Sequence, residues 1–513
     1  MALFLNTRNQ KLFYIIAIGI LFLGHLRNIR PEFTYALDSF VKLVQTESIK
    51  ENHFQSEELL YIAKTFDPES KLQPLPTFTI RVKDQFLSPF SVDFAAFNAL
   101  LLIVISKSHL PYVCLLFSIL TLIVFQYSKT ISFPTLILAS LGTPLVYQGL
   151  EYSENSLLLL LQGIGFYFYF QDKNKTDKFL AGFFLSLGIL LRLENIVFIC
   201  ILYFFLFLIH YKRKLNDFFR NESPRLLGVL LPILFFVAQN LFLYNHLFGA
   251  RFISNQGSLS EFHLWERLIQ AKNLIFLAYF KIGFFGFTPI FLFSIVYYLF
   301  RTNELKESKE RVLLYSLLLF IPLIAFIAPN DGVTNWGARY LNLAILPSLY
   351  LFNSFYSEID FKRKKYFRYL TYFLFGFSII ILLLGMKFQQ VATKEIRLFQ
   401  EDLLKHPSDL HVLGAETIGL YSGVQFYETP MILPKTAEEL DLFLSNNRLR
   451  LGDQKKLIFS RIKSNASIQE GIKMGLFPSE SHYETLLNVL RKHYETETVA
   501  EGKKLNFHLF SNP

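Results

Sequence analysis

Charged residues that interrupt apolar stretches are the clearest chemical signals in this chain. In YQGLEYSEN (147–155), Glu151 and Glu154 stand three residues apart between the apolar runs LILASLGTPLV and SLLLLLQGIGFYFYF. Arg192 and Glu194 interrupt SLGILLRLENIVFIC, with apolar residues on either side. Ionisable groups in such surroundings are costly unless they face a polar cavity or one another. A guanidinium placed there can grip a phosphate through two parallel hydrogen bonds. Arg339 opens a further apolar run in NDGVTNWGARYL (330–341), preceded by Asp331 and Trp336. In YALDSFVKLVQTESI, Asp38 and Lys42 lie about one helical turn apart and share a face if the segment is helical. A carboxylate at a water–lipid boundary gains basicity by partial desolvation, so Asp38 is a candidate to take a proton from a hydroxyl.

Each of these residues also has a plainer role. Glu154 or Ser153 can cap the helix that follows, where the helix dipole favours an acid. Asp38 and Lys42 can form a surface ion pair. Trp336 and Arg339 can be an interfacial aromatic beside a snorkelling arginine. His246 and Arg251, in YNHLFGARF (244–252), add to the charges on the same side as Arg339, and their plainer role is that of an ordinary interfacial loop. No P-loop, dinucleotide glycine pattern, zinc spacing or nucleophile elbow is present, so ATP-driven and classical hydrolase chemistry have no support.

The elements that must position these residues are membrane helices. Of 513 residues 52% are hydrophobic, with 58 Phe and 26 Tyr. Mean hydropathy is +0.34, far above the level of water-soluble domains. The net charge of +10 collects in short connectors rather than on a nucleic-acid face. Cys114 and Cys200 lie inside apolar runs without metal-ligand spacing and read as packing residues. Arg8 and Lys11 precede an apolar segment with no small-residue cleavage site after it, which predicts an uncleaved signal anchor.

Apolar runs near membrane length fall at 12–26, 88–106, 110–127, 132–148, 155–170, 178–191, 195–210, 226–244, 273–300, 312–328, 340–356 and 369–386. The basic loops 171–178, 211–225, 301–311 and 361–368 alternate with the other connectors and belong on the cytoplasmic side. The 147–155 turn, the Arg192–Glu194 step, 245–272 and 330–339 then face outward. A cytoplasmic N-terminus and an outward tail require an odd number of crossings. The run 88–106 begins with Ser88, Pro89, Ser91 and Asp93 and is the weakest span. It reads as an interfacial or re-entrant helix, which predicts about 11 transmembrane helices. A spanning 88–106 with an outward N-terminus is the alternative.

The predicted division is a membrane part, 1–387, with an outer loop at 29–109, followed by a soluble extracytoplasmic α/β domain, 388–513. In the loop, QSEELLYIAKTF (55–66) has helical spacing. In the tail, IRLFQEDLL, TAEELDLFLSNNRL and HYETLLNVLRKH read as helices, and HVLGAE and KKLIFSRI as strands. No internal repeat is evident.

Taken together, LDSFVKLVQTESI, GTPLVYQGLEYSEN, LGILLRLEN and WGARYLNLAILP resemble segments of the GT-C superfamily of integral membrane glycosyltransferases. The resemblance spans nearly the whole chain through short, degenerate motifs. It implies a multi-pass enzyme of the bacterial inner membrane that takes a sugar from a polyprenyl-phosphate carrier. Its catalytic base, an acid soon after the first crossing, carries over to Asp38. Many relatives have two adjacent acids there, whereas Ser39 follows Asp38, which leaves dependence on a divalent metal open. No nucleotide or redox cofactor is implied. Arg192 or Arg339 would hold the carrier phosphate, with Lys42, Glu151, Glu154, Glu194, Asp331 and Trp336 as further substrate-binding candidates. The expected acceptor is an envelope glycan, lipid or protein, and the expected outcome is inversion at the anomeric carbon. A transporter of lipid-linked glycan and a catalytically silent scaffold are the competing readings.

Overall fold

Glycine and proline decide where the apolar runs become continuous helices. The computed structural model describes residues 8–260, 263–278, 281–302, 305, 308–330, 336–358, 365–451, 456–464, 468–469, 472 and 477–511. The principal helices, in chain order, are α1 (Arg8–Ile29), α2 (Asp38–Glu51), α3 (Val92–Leu101), α4 (Leu110–Ser128), α5 (Phe133–Leu141), α6 (Pro144–Tyr147) and α7 (Asn155–Gln171). They continue with α8 (Lys175–Leu187), α9 (Glu194–Phe205), α10 (Leu215–Tyr244), α11 (Gly249–Ser260), α12 (Leu264–Ile275), α13 (Phe284–Phe287) and α14 (Pro289–Phe300). The remainder are α15 (Ser308–Ile327), α16 (Ile345–Glu358), α17 (Lys365–Leu404), α18 (Glu416–Leu420), α19 (Ala437–Leu451) and α20 (Glu480–His493).

The chain forms two compact units, one of Met1–Asn28 and Ser108–Gln389 and the other of Ile29–Lys107 and Gln390–Pro513. Among the described residues, five helices are long and apolar enough to cross a membrane: Arg8–Ile29, Lys107–Ser128, Leu215–Tyr244, Ser308–Ile327 and Lys365–Leu404. Two runs read as single spans are broken. The run 132–148 divides into α5 and α6 at Gly142 and Pro144. The run 273–300 divides into the end of α12, a hairpin of β3 (Leu277–Ala278) and β4 (Lys281–Ile282), α13 and α14. Gly283 donates its N–H to the Phe276 carbonyl at 2.6 Å, and Pro289 starts α14 afresh.

In the first unit, α8 and α10 pack back to back at two glycines. A Cβ on Gly182 would sit 2.1 Å from the Arg225 carbonyl oxygen, and one on Gly228 would sit 2.2 Å from that of Phe179. Small residues permit this approach, as is usual where helices associate in lipid. At one end of α7, α8, α10 and α15, three of the predicted basic loops meet in a buried ionic network. Arg225, 1% exposed, pairs with Glu222 at 2.6 Å and donates to Asp172 at 3.0 Å. Lys309 lies 3.0 Å from the other Asp172 oxygen, and Lys178 lies 3.4 Å from Glu222.

The second unit contains a five-stranded sheet in the order β6-β5-β7-β9-β8, where β5 is Leu410–Leu413, β6 Met431–Ile432, β7 Leu457–Ile462, β8 Thr496–Glu501 and β9 Leu505–Ser511. β5 pairs in parallel with β6 and β7, while β9 pairs antiparallel with β7 and β8. Its core joins Val412, Phe459 and Leu490 of the tail with Ala63 and Leu72 of the loop. A second small hairpin pairs β1 (Ile80–Val82) with β2 (Gln85–Leu87).

The predicted helix at 55–66 reduces to one 3-10 turn, Ile62–Thr65. The preceding backbone bonds elsewhere: Leu59 N–H donates to the Phe86 carbonyl at 2.9 Å and Leu60 N–H to Ser48 Oγ at 2.8 Å. α3 has 10 residues, so it is about 15 Å long, half the roughly 30 Å of a bilayer core. One of its faces packs Ala95 and Ala99 against Ile49 of α2, and Leu100 is exposed.

Candidate active site

At the end of α7 opposite the basic network, a second ionic cluster gathers three of the residues singled out in the sequence. Glu154 is the last residue before α7, yet its side chain makes no capping hydrogen bond. It accepts instead from Arg192 Nη1 at 3.2 Å and from Arg251 Nη1 at 3.4 Å. Arg192 lies in a break between a 3-10 turn, Gly188–Leu190, and α9. That break lets residues two apart meet, and Arg192 Nη2 donates to Glu194 Oε1 at 2.8 Å. The side chains of Arg192 and Glu154 are 2% and 1% exposed, so both charges depend on this pairing.

Tyr340 joins Arg339 to the cluster. The guanidinium carbons of Arg192 and Arg339 lie 5.2 Å and 5.4 Å from the centre of its ring, within cation–π range. Arg339 begins a 3-10 turn after Ala338 and Gly337, which have φ of 50° and 95°. A Cβ on Gly337 would lie 2.6 Å from the Pro144 Cβ, so only glycine fits both the close approach and the left-handed backbone.

Beside the cluster lies a cavity of about 230 Å³. Glu194, Arg251, Asn255 and Tyr340 supply its polar groups; Phe252, Ile324 and Ile327 are among its apolar lining. Glu194 Oε2 is buried and accepts no hydrogen bond among the described residues. The site therefore offers a mostly apolar chamber with guanidinium and carboxylate groups on its wall. That combination suits an amphiphile with an anionic head.

The other candidates are placed as follows. Glu151 ends the 3-10 turn Gln148–Leu150 and is half-buried. In that turn Gln148 hydrogen-bonds Asn342, which follows Tyr340 in the Arg339 turn. Trp336 stacks on Phe388 of α17 at 5.7 Å and 17°, a packing contact within the helical unit. Asp331 lies outside the described residues. Asp38 and Lys42 belong to the second unit. Asp38 is the first residue of α2, half-buried, after Leu37 with φ of 50°. Lys42 is 3% exposed, with its ammonium 4.7 Å from the Phe90 ring centre. Among the described residues, no group of three or more His, Cys, Asp or Glu is placed to hold a metal ion.

Arg251, which the sequence placed in an interfacial loop, and Tyr340, which it did not single out, both belong to this site. The signal was a recurring tetrapeptide, GARF at 249–252 and GARY at 337–340. Both glycines have positive φ, 70° and 95°, both arginines reach the cluster, and both aromatic residues line the cavity.

No family model matches the sequence, and no curated protein matches it. Similar solved structures include ArnT from Cupriavidus metallidurans bound to undecaprenyl phosphate, with a TM-score of 0.50 and 8% identity over 97% of this chain and 98% of that one. The apo state of the same protein gives a TM-score of 0.53 and 10% identity over 97% of each chain. Identity this low speaks for the fold and not for the reaction. Across nearly its whole length, the chain has the fold of ArnT.

Proposed function

We propose that the protein is a membrane glycosyltransferase that moves a sugar from a polyprenyl-phosphate carrier to an acceptor of the cell envelope. The observation that carries this reading is the arginine cluster beside a largely apolar cavity, in a chain with the ArnT fold. A related structure holds undecaprenyl phosphate, a ligand whose long hydrocarbon and anionic head have the chemistry this chamber suits.

Both terminal nitrogens of Arg192 already donate to carboxylates, so its role here is to anchor Glu154 and Glu194. The carrier phosphate is assigned to Arg251, which lines the cavity while its Nη1 pairs with Glu154, and to Arg339 across the Tyr340 ring. Glu194 Oε2 and Glu151 would accept from sugar or acceptor hydroxyls. Asp38 takes the proton from the acceptor hydroxyl as that oxygen bonds to the anomeric carbon. The bond from the anomeric carbon to the phosphate oxygen breaks, and the electron pair leaves with the lipid phosphate, which the arginines stabilise. One displacement inverts the anomeric centre. In this reading the reaction takes place at the outer face of a bacterial inner membrane, with 388–513 on that side.

The test uses purified full-length protein in detergent and undecaprenyl-phosphate-linked glucose, galactose, mannose and arabinose. Asp38→Asn should abolish transfer, and undiminished turnover would remove Asp38 as the base. Arg251→Gln should weaken binding of undecaprenyl phosphate about ten-fold, as expected for one lost charge-assisted contact. Unchanged affinity would exclude the cavity as the head-group site.

A further inference from the structure

The second unit joins Asp38 to the tail through an unusual anchorage. Asp38 and Phe40 are two residues apart in α2, so they point to nearly opposite sides of the helix. Phe40 is fully buried and meets the Phe426 ring edge-on, with centroids 5.4 Å apart at 86°. Phe426, 6% exposed, belongs to the 3-10 turn Gly423–Tyr427 of the tail. The first turn of α2, on the side away from Asp38, is therefore packed against a tail side chain.

The adjacent Tyr427 secures the other side of the same turn. Its ring centre lies 4.4 Å from the Lys107 ammonium, which also pairs with Glu47 of α2 at 3.5 Å. The Lys107 carbonyl accepts the hydroxyl of Tyr35, a buried residue three positions before Asp38. Between these anchors Leu37 is held at φ 50° and ψ −124°, a backbone state that a branched residue keeps only under external constraint.

We infer that Phe426 and Tyr427 are positioning residues: the tail domain holds the Asp38 turn in its working geometry. This inference rests on the reading of Asp38 as the base. It gives the tail a part in the chemical step without requiring it to touch substrate. A misplacement of about 1 Å in a catalytic group can cost on the order of 100-fold in rate.

The test compares Phe426→Ala, Phe426→Tyr and Tyr427→Leu in the full-length protein. Amide hydrogen exchange is read for peptides covering Leu37–Phe40 and, as a control, the tail strand Leu457–Ile462. Phe426→Ala and Tyr427→Leu should speed exchange at Leu37–Phe40 at least about ten-fold while the strand keeps its protection. Phe426→Tyr, which retains the ring, should restore the parental rate. With the undecaprenyl-phosphate sugars, kcat should fall about 10- to 100-fold in Phe426→Ala, with KM within about two-fold. Unchanged exchange at Leu37–Phe40, or equal loss of protection in the strand, would overturn the inference. So would unchanged kcat in Phe426→Ala when Asp38→Asn is inactive. If Asp38→Asn is fully active, the base assignment fails, and the exchange result alone decides whether the tail fixes the turn.

Discussion

The Glu154 carboxylate is the hub of the ionic cluster, and replacing it by glutamine tests the whole arrangement. The substitution preserves shape while removing the charge that faces Arg192 at 3.2 Å and Arg251 at 3.4 Å. Removing one partner of a buried pair generally costs about 3–5 kcal/mol, because it strands the other charge. Arg192 keeps Glu194 at 2.8 Å, and the glutamine carbonyl still accepts, so this part falls to about 2 kcal/mol. Arg251, 17% exposed and at longer range, adds less than about 1 kcal/mol. The expected loss is therefore about 2–3 kcal/mol, read as a lowered midpoint of thermal unfolding in detergent. A double-mutant cycle separates the two contacts. Glu154 should couple to Arg192 by about 2 kcal/mol and to Arg251 by under about 1 kcal/mol. A Glu154→Gln protein within about 0.5 kcal/mol of the parent would refute the reasoning, as would stronger coupling to Arg251 than to Arg192.

Gly337→Ala should cost about 2–4 kcal/mol, from backbone strain at φ 95° and overlap with Pro144, and should weaken undecaprenyl phosphate binding by displacing Arg339. Parental stability and affinity would argue against the tight turn. Arg225→Leu removes one cation from the network at the opposite end of the helices, where Lys178 still faces Glu222 at 3.4 Å and Lys309 still faces Asp172 at 3.0 Å, and should cost about 2–3 kcal/mol in thermal unfolding, while undecaprenyl phosphate affinity in the folded fraction stays at the parental value. His411, buried in β5, has its pKa pushed down to about 3, first by burial and then by the neighbouring His406. The unfolded chain takes up that proton near pH 6.5, so the contribution is complete above pH 6.5 and lost as the pH falls toward 3. Exchange of the sheet amides should report this as at most about 1.4 kcal/mol per pH unit, and His411→Leu should flatten the slope.

The tail was legible because its elements carry strong local patterns. HVLGAE and KKLIFSRI became β5 and β7, and TAEELDLFLSNNRL and HYETLLNVLRKH lie within or nearly coincide with α19 and α20. β8 and β9 were missed. β8 is an edge strand with mostly exposed side chains, so TETVAE lacks a buried alternating face. The failed helix at 55–66 has the opposite cause. Its spacing was adequate, but its amides found partners on Ser48 and Phe86, which no local pattern encodes. The same limit applies to the site. Arg192 and Glu194 are two residues apart, a spacing that keeps side chains apart on a continuous helix, and only the break before α9 brings them together. Arg251 looked like an interfacial loop because its partner, Glu154, is 97 residues away in sequence.

The placement of charge also separates the competing readings. α7 contains no Asp, Glu, Lys, Arg or His over its 17 residues, about 25 Å, and is flanked by Glu154 before it and Asp172 after it. The paired charges of the helical unit described above stand at helix ends, where one set closes into a buried network and the other borders a cavity. A carrier that moves a charged head group through a bundle places its ionisable residues and broken helices near mid-depth, so that both sides reach them in turn. Here the breaks at Arg192 and Gly337 occur at the same end as the cavity. A ligand head seated there would be held at one end by the arginines, with its hydrocarbon free to run along the apolar wall. Such an arrangement favours chemistry at one face over passage between two. It also makes the two ends separable by mutation: Arg225→Leu should cost stability without affinity, and Arg251→Gln affinity without comparable stability.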